Sequence, residues 1–468
     1  MIVTAIVVAG LLWLIRYHFR EWFIRVYGLF FLILLFYVLN KGGESGIDDL
    51  ATGTFSPLSL TRWGLLCVLC VVAVRVPKPE GIRADVPLIL LVMLFLADIA
   101  LSTSYAEDFS YSFMRAASFV ILSVAVLTGF VYHLYWRVNC VRFFRFHYYL
   151  AWLALVPPML LHLTGLNRFG ATVVMGQYAG PFGNQNLLGI FSALITPYVL
   201  FHWRAEAQTS RRRWMDLALL AVIFAGLGLS RSRGGTLACV IAVAVYFIVV
   251  SVESRIKISA IAISLIVVIV AFPNLKQSIT KFIRKDTIER AQVQGLGEQI
   301  FEERRYELWS NVVPLYWEEK VSGYGFAMSH LQTFPFSGDK EVGRHVHNSY
   351  IELFGDLGLP GLLLLLLILW RIGARSVTLI ERRGNLLQRN INAVFVSIFA
   401  SGVVNAFFES WMFSVGNIVT LMFWGPTAGV IAQWAWGTTP AGDRTDELVD
   451  AVAPKREMVY PALQQQAK

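Results

Sequence analysis

Apolar runs close to the length of a bilayer crossing recur along this chain, and they constrain its fold more than any other feature. Candidate spans fall at about 2–15, 22–39, 58–75, 86–104, 113–133, 146–164, 187–203, 214–230, 236–252, 256–273, 359–371, 391–407 and 413–434. A helix needs roughly 20 mostly apolar residues to cross the hydrocarbon core. Inside lipid only helices and closed barrels satisfy every backbone N–H and C=O, and these runs lack the alternation of barrel strands. With 56% hydrophobic residues among 468, the chain reads as an all-α polytopic membrane protein of about 12–13 transmembrane helices. The first and eleventh runs are short, and residues 347–358 would extend the eleventh upward.

The net charge of +9 is not a nucleic-acid signal here, because the basic residues fall in short loops between spans. The clusters are Arg16, Arg20 and Arg25; Arg75, Lys78 and Arg83; Arg137, Arg142 and Arg145; Arg204 and Arg211 to Arg213; Arg255 and Lys257; and Arg371 to Arg389. The positive-inside rule puts this set in the cytoplasm. Residues 44–49, Glu107 and Asp108, the loop 274–346 and the tip Glu409-Ser410-Trp411 then face outward. Thirteen spans would leave the N-terminus outside; if the first does not cross, both ends are cytoplasmic.

The expected organisation follows. Residues 1–273 carry helices one to ten, 274–346 form one large outward loop with short amphipathic helices, 347–436 carry the last three helices, and 437–468 are a flexible cytoplasmic tail. Within the loop, Tyr306, Trp309, Val313 and Tyr316 or Trp317 recur at helical spacing, which predicts an amphipathic helix interrupted near Pro314. Cys67, Cys70, Cys140 and Cys239 lie in or beside spans and read as small apolar residues, with no disulfide framework and no four-ligand zinc set.

Three outward clusters could carry chemistry. Gly180-Pro-Phe-Gly-Asn-Gln-Asn186 offers a turn plus the amides of Asn184, Gln185 and Asn186, which also read as a helix cap. Ser230-Arg-Ser-Arg-Gly-Gly-Thr-Leu237 sets Arg231 and Arg233 at an outward turn, against the positive-inside rule. Guanidinium binds phosphate through a fork that never deprotonates, although arginines at helix ends also simply snorkel. The third cluster runs from Arg344 to Leu363, with Arg304 and Arg305 upstream. His347 could act as a general base, since imidazole titrates near neutral pH; a histidine at a helix start can equally be a cap. Glu352 and Asp356, four residues apart on the same helix, either orient His347 or face water. His345 adds little for a metal without a third ligand.

At these residues the chain resembles the O-antigen ligase and O-antigen polymerase superfamily. The family's arginine, three residues, leucine motif matches Arg233 to Leu237. Its histidine, ten residues, glycine motif matches His347 to Gly358, followed by Leu359-Pro360-Gly361. Weaker matches lie at Gly180 to Asn186 and at Arg305 to Trp309, ahead of Gly323 and Gly325. The match covers roughly 176–370. Gly189 departs from the family's usual alanine.

The resemblance implies metal-independent transfer of a glycan from an undecaprenyl-pyrophosphate carrier to an acceptor hydroxyl, without a cofactor. The chain would sit in the bacterial inner membrane with its site and large loop facing the periplasm. His347, Arg233 and Arg305 would be catalytic: the histidine activating the acceptor, the arginines holding the pyrophosphate as a leaving group. Arg231, Asn184, Asn186, Arg304, Asn348, Tyr350 and Glu352 would contact the substrates. A lipid A core acceptor, and so a ligase, is favoured slightly over an O-antigen or exopolysaccharide polymerase or a protein O-oligosaccharyltransferase. Two readings of other classes stay open. A flippase for a lipid-linked glycan would also want arginines facing a cavity, but would predict mid-span charges and repeats. An assembly scaffold would leave His347 free to change.

Overall fold

A computed structural model describes residues 22–41, 57–165, 172–174, 177–206, 209–251, 305–331, 334–336, 339–341, 346–382 and 384–438. Within them run α1 (Trp22–Lys41), α2 (Pro57–Ala73), α3 (Val86–Ser102), α4 (Phe109–Ala125), α5 (Arg137–Leu163), α6 (Gln185–Phe201), α7 (Ser210–Ser230) and α8 (Arg233–Val250). After these come α9 (Arg305–Glu318), α10 (Ser349–Glu381), α11 (Leu386–Asn405) and α12 (Ile418–Thr438). Two small antiparallel ribbons complete the described residues: β1 (Thr172–Val174) with β2 (Gln177–Gly180), and β3 (Phe334–Phe336) with β4 (Asp339–Glu341). Among the described residues nine helices are long and apolar enough to cross a membrane, and α1 and α2 hold shorter apolar stretches. The chain is an all-α polytopic membrane protein. The expected spans at 2–15 and 256–273 lie outside the described residues, as does the tail after 438.

Seven of the described helices begin where the sequence supplies a polar cap. Asp85, Asp108, Asn184, Thr209, Ser232, Asn348 and Asn385 each accept a first-turn N–H in their side chain, answering donors that otherwise have no partner. Several boundaries differ from expectation, and α10 runs on to Glu381, past the expected end near 371. The helix expected to begin near 146 starts at Arg137, because Arg142 and Arg145 interrupt the apolar run without interrupting the helix; Arg145 is paired with Glu206. The span expected from 413 starts at Ile418, since Ala406 to Asn417 is apolar in part but folds as a chain of turns.

Burial divides the bundle. Along α6 every residue from Leu188 to Phe201 is buried, and α11 and α12 are buried over most of their length. A helix that is apolar all round belongs inside the protein. By contrast α3, α7 and α8 expose residues such as Leu90, Leu94, Phe224 and Val240, the face a lipid tail would meet. Small residues bring the inner helices together. A Cβ on Gly235 of α8 would lie 2.4 Å from the Cα of Gly189 on α6, and a Cβ on Gly402 of α11 would lie 2.3 Å from the Phe423 ring of α12.

Helix α10 breaks once. Gly358 has φ 66° and ψ −163°, a conformation open essentially to glycine. The backbone groups freed there are taken up by the strap 319–326. Tyr324 N donates to Gly355 O at 2.9 Å, Gly325 N to Asp356 O at 3.0 Å, and Lys320 O accepts from Leu359 N at 2.7 Å. The strap is pinned on its other side to the α3–α4 corner, where Ser102 Oγ accepts from Phe326 N and Ser112 Oγ donates to Phe326 O. The expected amphipathic helix is α9, whose Leu308, Val312 and Tyr316 pack on Val346 and Phe354 of the α10 start. Pro314 lies inside it without ending it.

The opposite end of α10 is clamped electrostatically. Asp85, the α3 cap, accepts from Arg371 Nε and Nη2 at 3.0 and 2.9 Å and from Arg375 Nε at 2.6 Å. Burial alone would raise the Asp85 pKa, but the hydrogen bonds and charges of Arg375 and Arg371 outweigh it and hold the carboxyl below its ordinary value. Folding therefore lowers this pKa. Its contribution to stability is present above the unfolded carboxylate's titration and is lost as pH falls through the folded value. We expect Asp85→Asn to cost about 1–3 kcal/mol, because it leaves two part-buried guanidiniums short of a counter-charge. The check is a thermal melt in detergent, with a fall of roughly 2–4 °C per kcal/mol.

Candidate functional site

Three of the capped helix starts meet at one end of the bundle, around the turns that join α11 to α12. Asn186 Oδ1 on α6 lies 3.5 Å from the donating Ser232 Oγ at the start of α8. Gly234 of α8 faces Phe408: a Cβ there would sit 2.9 Å from the Phe408 Cβ. The α10 start is bolted to the same turns. Ser349 N donates to Ala406 O at 2.9 Å, Asn348 N to Ser410 Oγ at 3.0 Å, and Ser349 Oγ to Glu409 O at 2.7 Å. Trp411 N and Met412 N in turn donate to Ser349 Oγ. The residue ahead of His347 is held too, by Trp309 Nε1 donating to Val346 O at 2.9 Å.

Within this frame two residues adopt left-handed backbone conformations, Arg231 (φ 51°) and His347 (φ 53°). Such a conformation costs an ordinary side chain about 1–2 kcal/mol and persists where surroundings enforce it. The imidazole of His347 has 43% of its side chain exposed, and its Nδ1 lies 3.2 Å from Glu409 Oε2. Arg231 is exposed at the α7 C-terminus, and Arg233, half-buried, is the first residue of α8. An arginine next to a helix N-terminus adds its charge to the positive end of the helix dipole, which suits an anion. Asn405, only 1% exposed, receives Trp411 Nε1 at its Oδ1, and its Nδ2 has no hydrogen-bond partner among the described residues. That amide lies 3.6 Å from the Cβ position of Gly234.

The structure sorts the residues singled out in the sequence. His347, Arg233, Arg231, Asn184, Asn186 and Asn348 lie on elements that converge at this end. Asn184 caps α6 through Asn186 N and Leu187 N, and Asn348 caps α10 through Tyr350 N and Ile351 N. Tyr350 is buried, its hydroxyl donating to Val403 O at 2.8 Å and its ring against Phe407, so it serves the frame. Glu352 is half-buried in the first turn of α10 and its carbonyl accepts from Ser329 Oγ. Asp356 is buried and accepts from Ser329 N at 2.8 Å, which directs it to the strap. Arg304 and His345 lie outside the described residues, as does the side chain of Arg305, whose backbone opens α9.

Reasoning from sequence missed the α11–α12 turns as the hub of the site. Their signal was slight: Asn405, Glu409, Ser410 and Trp411 set polar groups between two apolar runs.

Residues 217–366 match the family model described as O-antigen ligase. The superfamily resemblance is shown over that stretch. It holds Arg231, Arg233, Arg305, His347 and Glu352, while Asn184, Asn186 and Glu409 lie outside it. No curated protein matches the chain. The match supports O-antigen ligase or polymerase-type function in general.

One contact tests the O-antigen ligase-like frame directly. Gly235→Val would drive a side chain into Gly189 and force the α6 and α8 starts apart, at a cost of about 1–3 kcal/mol from overpacking. We expect a lower melting temperature together with loss of glycan transfer. Full transfer at unchanged stability would mean that the two starts need not touch.

Proposed function

We propose that this protein transfers a glycan from an undecaprenyl-pyrophosphate carrier to an acceptor hydroxyl at the periplasmic face of the bacterial inner membrane, with lipid A core as the acceptor. The observation that carries the reading is the meeting of an exposed imidazole, His347, with the arginine-bearing start of α8 around one set of turns. A base and an anion-binding helix start within one frame are what displacement of a diphosphate requires. The acceptor oxygen forms a bond to the anomeric carbon as that carbon's bond to the pyrophosphate oxygen breaks. The electron pair leaves on the carrier pyrophosphate, and the hydroxyl proton passes to His347 and from there to water.

Arg233, at the N-terminus of α8, neutralises charge on the leaving diphosphate, and Arg305, whose backbone opens α9, shares that role in this reading. The unspent Nδ2 donor of Asn405 supports a polar occupant near Gly234, since buried donors without partners are rare. The frequency of arginine and lysine in the loops at the other end of the bundle supports the orientation. The proposed steps need no metal ion.

The test is glycan transfer in a host lacking its own ligase, following lipopolysaccharide ladders and glycoproteins on gels. Wild type should restore a ladder, and His347→Ala should lose about 10²–10⁴-fold of turnover while still inserting. Arg233→Lys keeps the charge but not the planar fork, and should lose most activity at unchanged expression. Modified protein in place of a ladder, or lengthened polysaccharide without ligation, would move the acceptor to protein or to a growing chain. Wild-type turnover in His347→Ala would remove the base from this mechanism. Chelation should leave the rate unchanged; inhibition reversed by added divalent ion would overturn the metal-free chemistry.

A further inference from the structure

Glu409 stands 62 positions from His347 in sequence, yet its carboxylate is the group that meets His347 Nδ1, at 3.2 Å. An ionised carboxylate can only accept, so in this contact Nδ1 carries the proton and donates it. The neutral ring then has Nε2 unprotonated, the state a base needs. We propose that Glu409 is the positioning residue of this site, fixing the tautomer and the orientation of His347 so that Nε2 is offered to the acceptor hydroxyl. The inference rests on the reading of His347 as the base.

The surroundings are built to hold this pair in register. The Glu409 carbonyl accepts from Ser349 Oγ, two residues beyond His347, and the next residue, Ser410, accepts from Asn348 N. The two backbones are thus joined on the residues beside the imidazole–carboxylate contact. Exposure differs across the pair, with 43% of the His347 side chain and 17% of the Glu409 side chain accessible. The carboxylate lies toward the protein and the ring toward the open side, the order expected when one group orients and the other reacts. The left-handed backbone of His347 is retained by these crosslinks rather than by a glycine. Of the other acids near the α10 start, Glu352 is half-buried in its first turn and Asp356 is held by Ser329 N.

When the acceptor hydroxyl gives its proton to Nε2, the ring becomes a cation. Glu409 then faces that cation through the Nδ1 proton it already holds, and no proton moves to the carboxylate. A carboxylate in this place lowers the barrier twice, by excluding the wrong tautomer beforehand and by stabilising the charge as it forms.

The experiment uses the full chain in proteoliposomes, with lipid-linked O-antigen from the ligase-deficient host as donor and lipid A core as acceptor. Glu409→Gln should lower kcat by about 10²-fold, because a misoriented base forfeits much of general-base catalysis. KM for the donor should stay within about twofold. Glu409→Asp should recover part of the loss. The decisive arm is the background: in His347→Ala, adding Glu409→Gln should cost nothing further, because its role passes through the ring. A further loss in that background, or a fall in melting temperature that tracks the loss of rate, would make Glu409 a structural anchor and overturn the proposal. Wild-type kcat in Glu409→Gln beside an inactive His347→Ala would sink the positioning role alone. Wild-type turnover in His347→Ala would sink the base reading, and the positioning role with it.

Discussion

A backbone N–H or C=O left unpaired in hydrocarbon costs several kcal/mol, and most of this structure can be read as the ways in which that cost is avoided. Along the spans the helix ladders meet it. At the ends they cannot, so seven of the described starts carry an Asp, Asn, Ser or Thr cap. Where α10 breaks at Gly358, the strap 319–326 supplies the missing partners. Polar groups therefore collect at helix starts and at the one break, and the candidate site lies where three such starts meet. The amides that hold the frame and the groups available for chemistry come from the same short stretches of sequence.

How much of this was legible follows from how each signal stands out against an apolar background. The glycines, arginines and histidine at 180–189, 231–237 and 347–358 are anomalies in otherwise hydrophobic text, and their elements do converge. The amphipathic spacing from Tyr306 to Tyr316 showed α9, because a half-buried helix keeps its period. Glu409 left no such mark. An acid at a loop tip looks like any solvated charge, and its partner is 62 residues away. Tyr350 and Asp356 sit beside the motif histidine in sequence, yet the Tyr350 hydroxyl donates to Val403 O and Asp356 accepts from Ser329 N. The boundary at 146 failed because charged residues interrupt hydropathy without interrupting a helix whose arginine has a counter-ion.

The end of the bundle away from the site has its own polar core. Tyr148 donates to Asp216 at 2.6 Å, His202 Nδ1 lies 2.9 Å from the same carboxylate, and Arg145 takes both oxygens of Glu206. These groups join α5, α6 and α7 where α6 widens into a wide-pitched turn at His202–Glu206. With the Asp85 clamp on α10, they anchor the far ends of the helices whose near ends form the site. Rigid supports of this kind let side chains on different helices keep their separations.

The turns that gather the site, Ala406 to Asn417, lie between the last two helices in the described chain. A ribosome making this protein from its N-terminus completes α6, α8 and α10 well before it reaches them. Until that hairpin has entered the membrane, the α10 start lacks the partners that Ala406, Glu409 and Ser410 provide, and His347 has no carboxylate beside it. The late hairpin thus works as a keystone in time as well as in space. Until the α11–α12 turns have been made, the groups of the candidate site stand apart, so the site can assemble only after them.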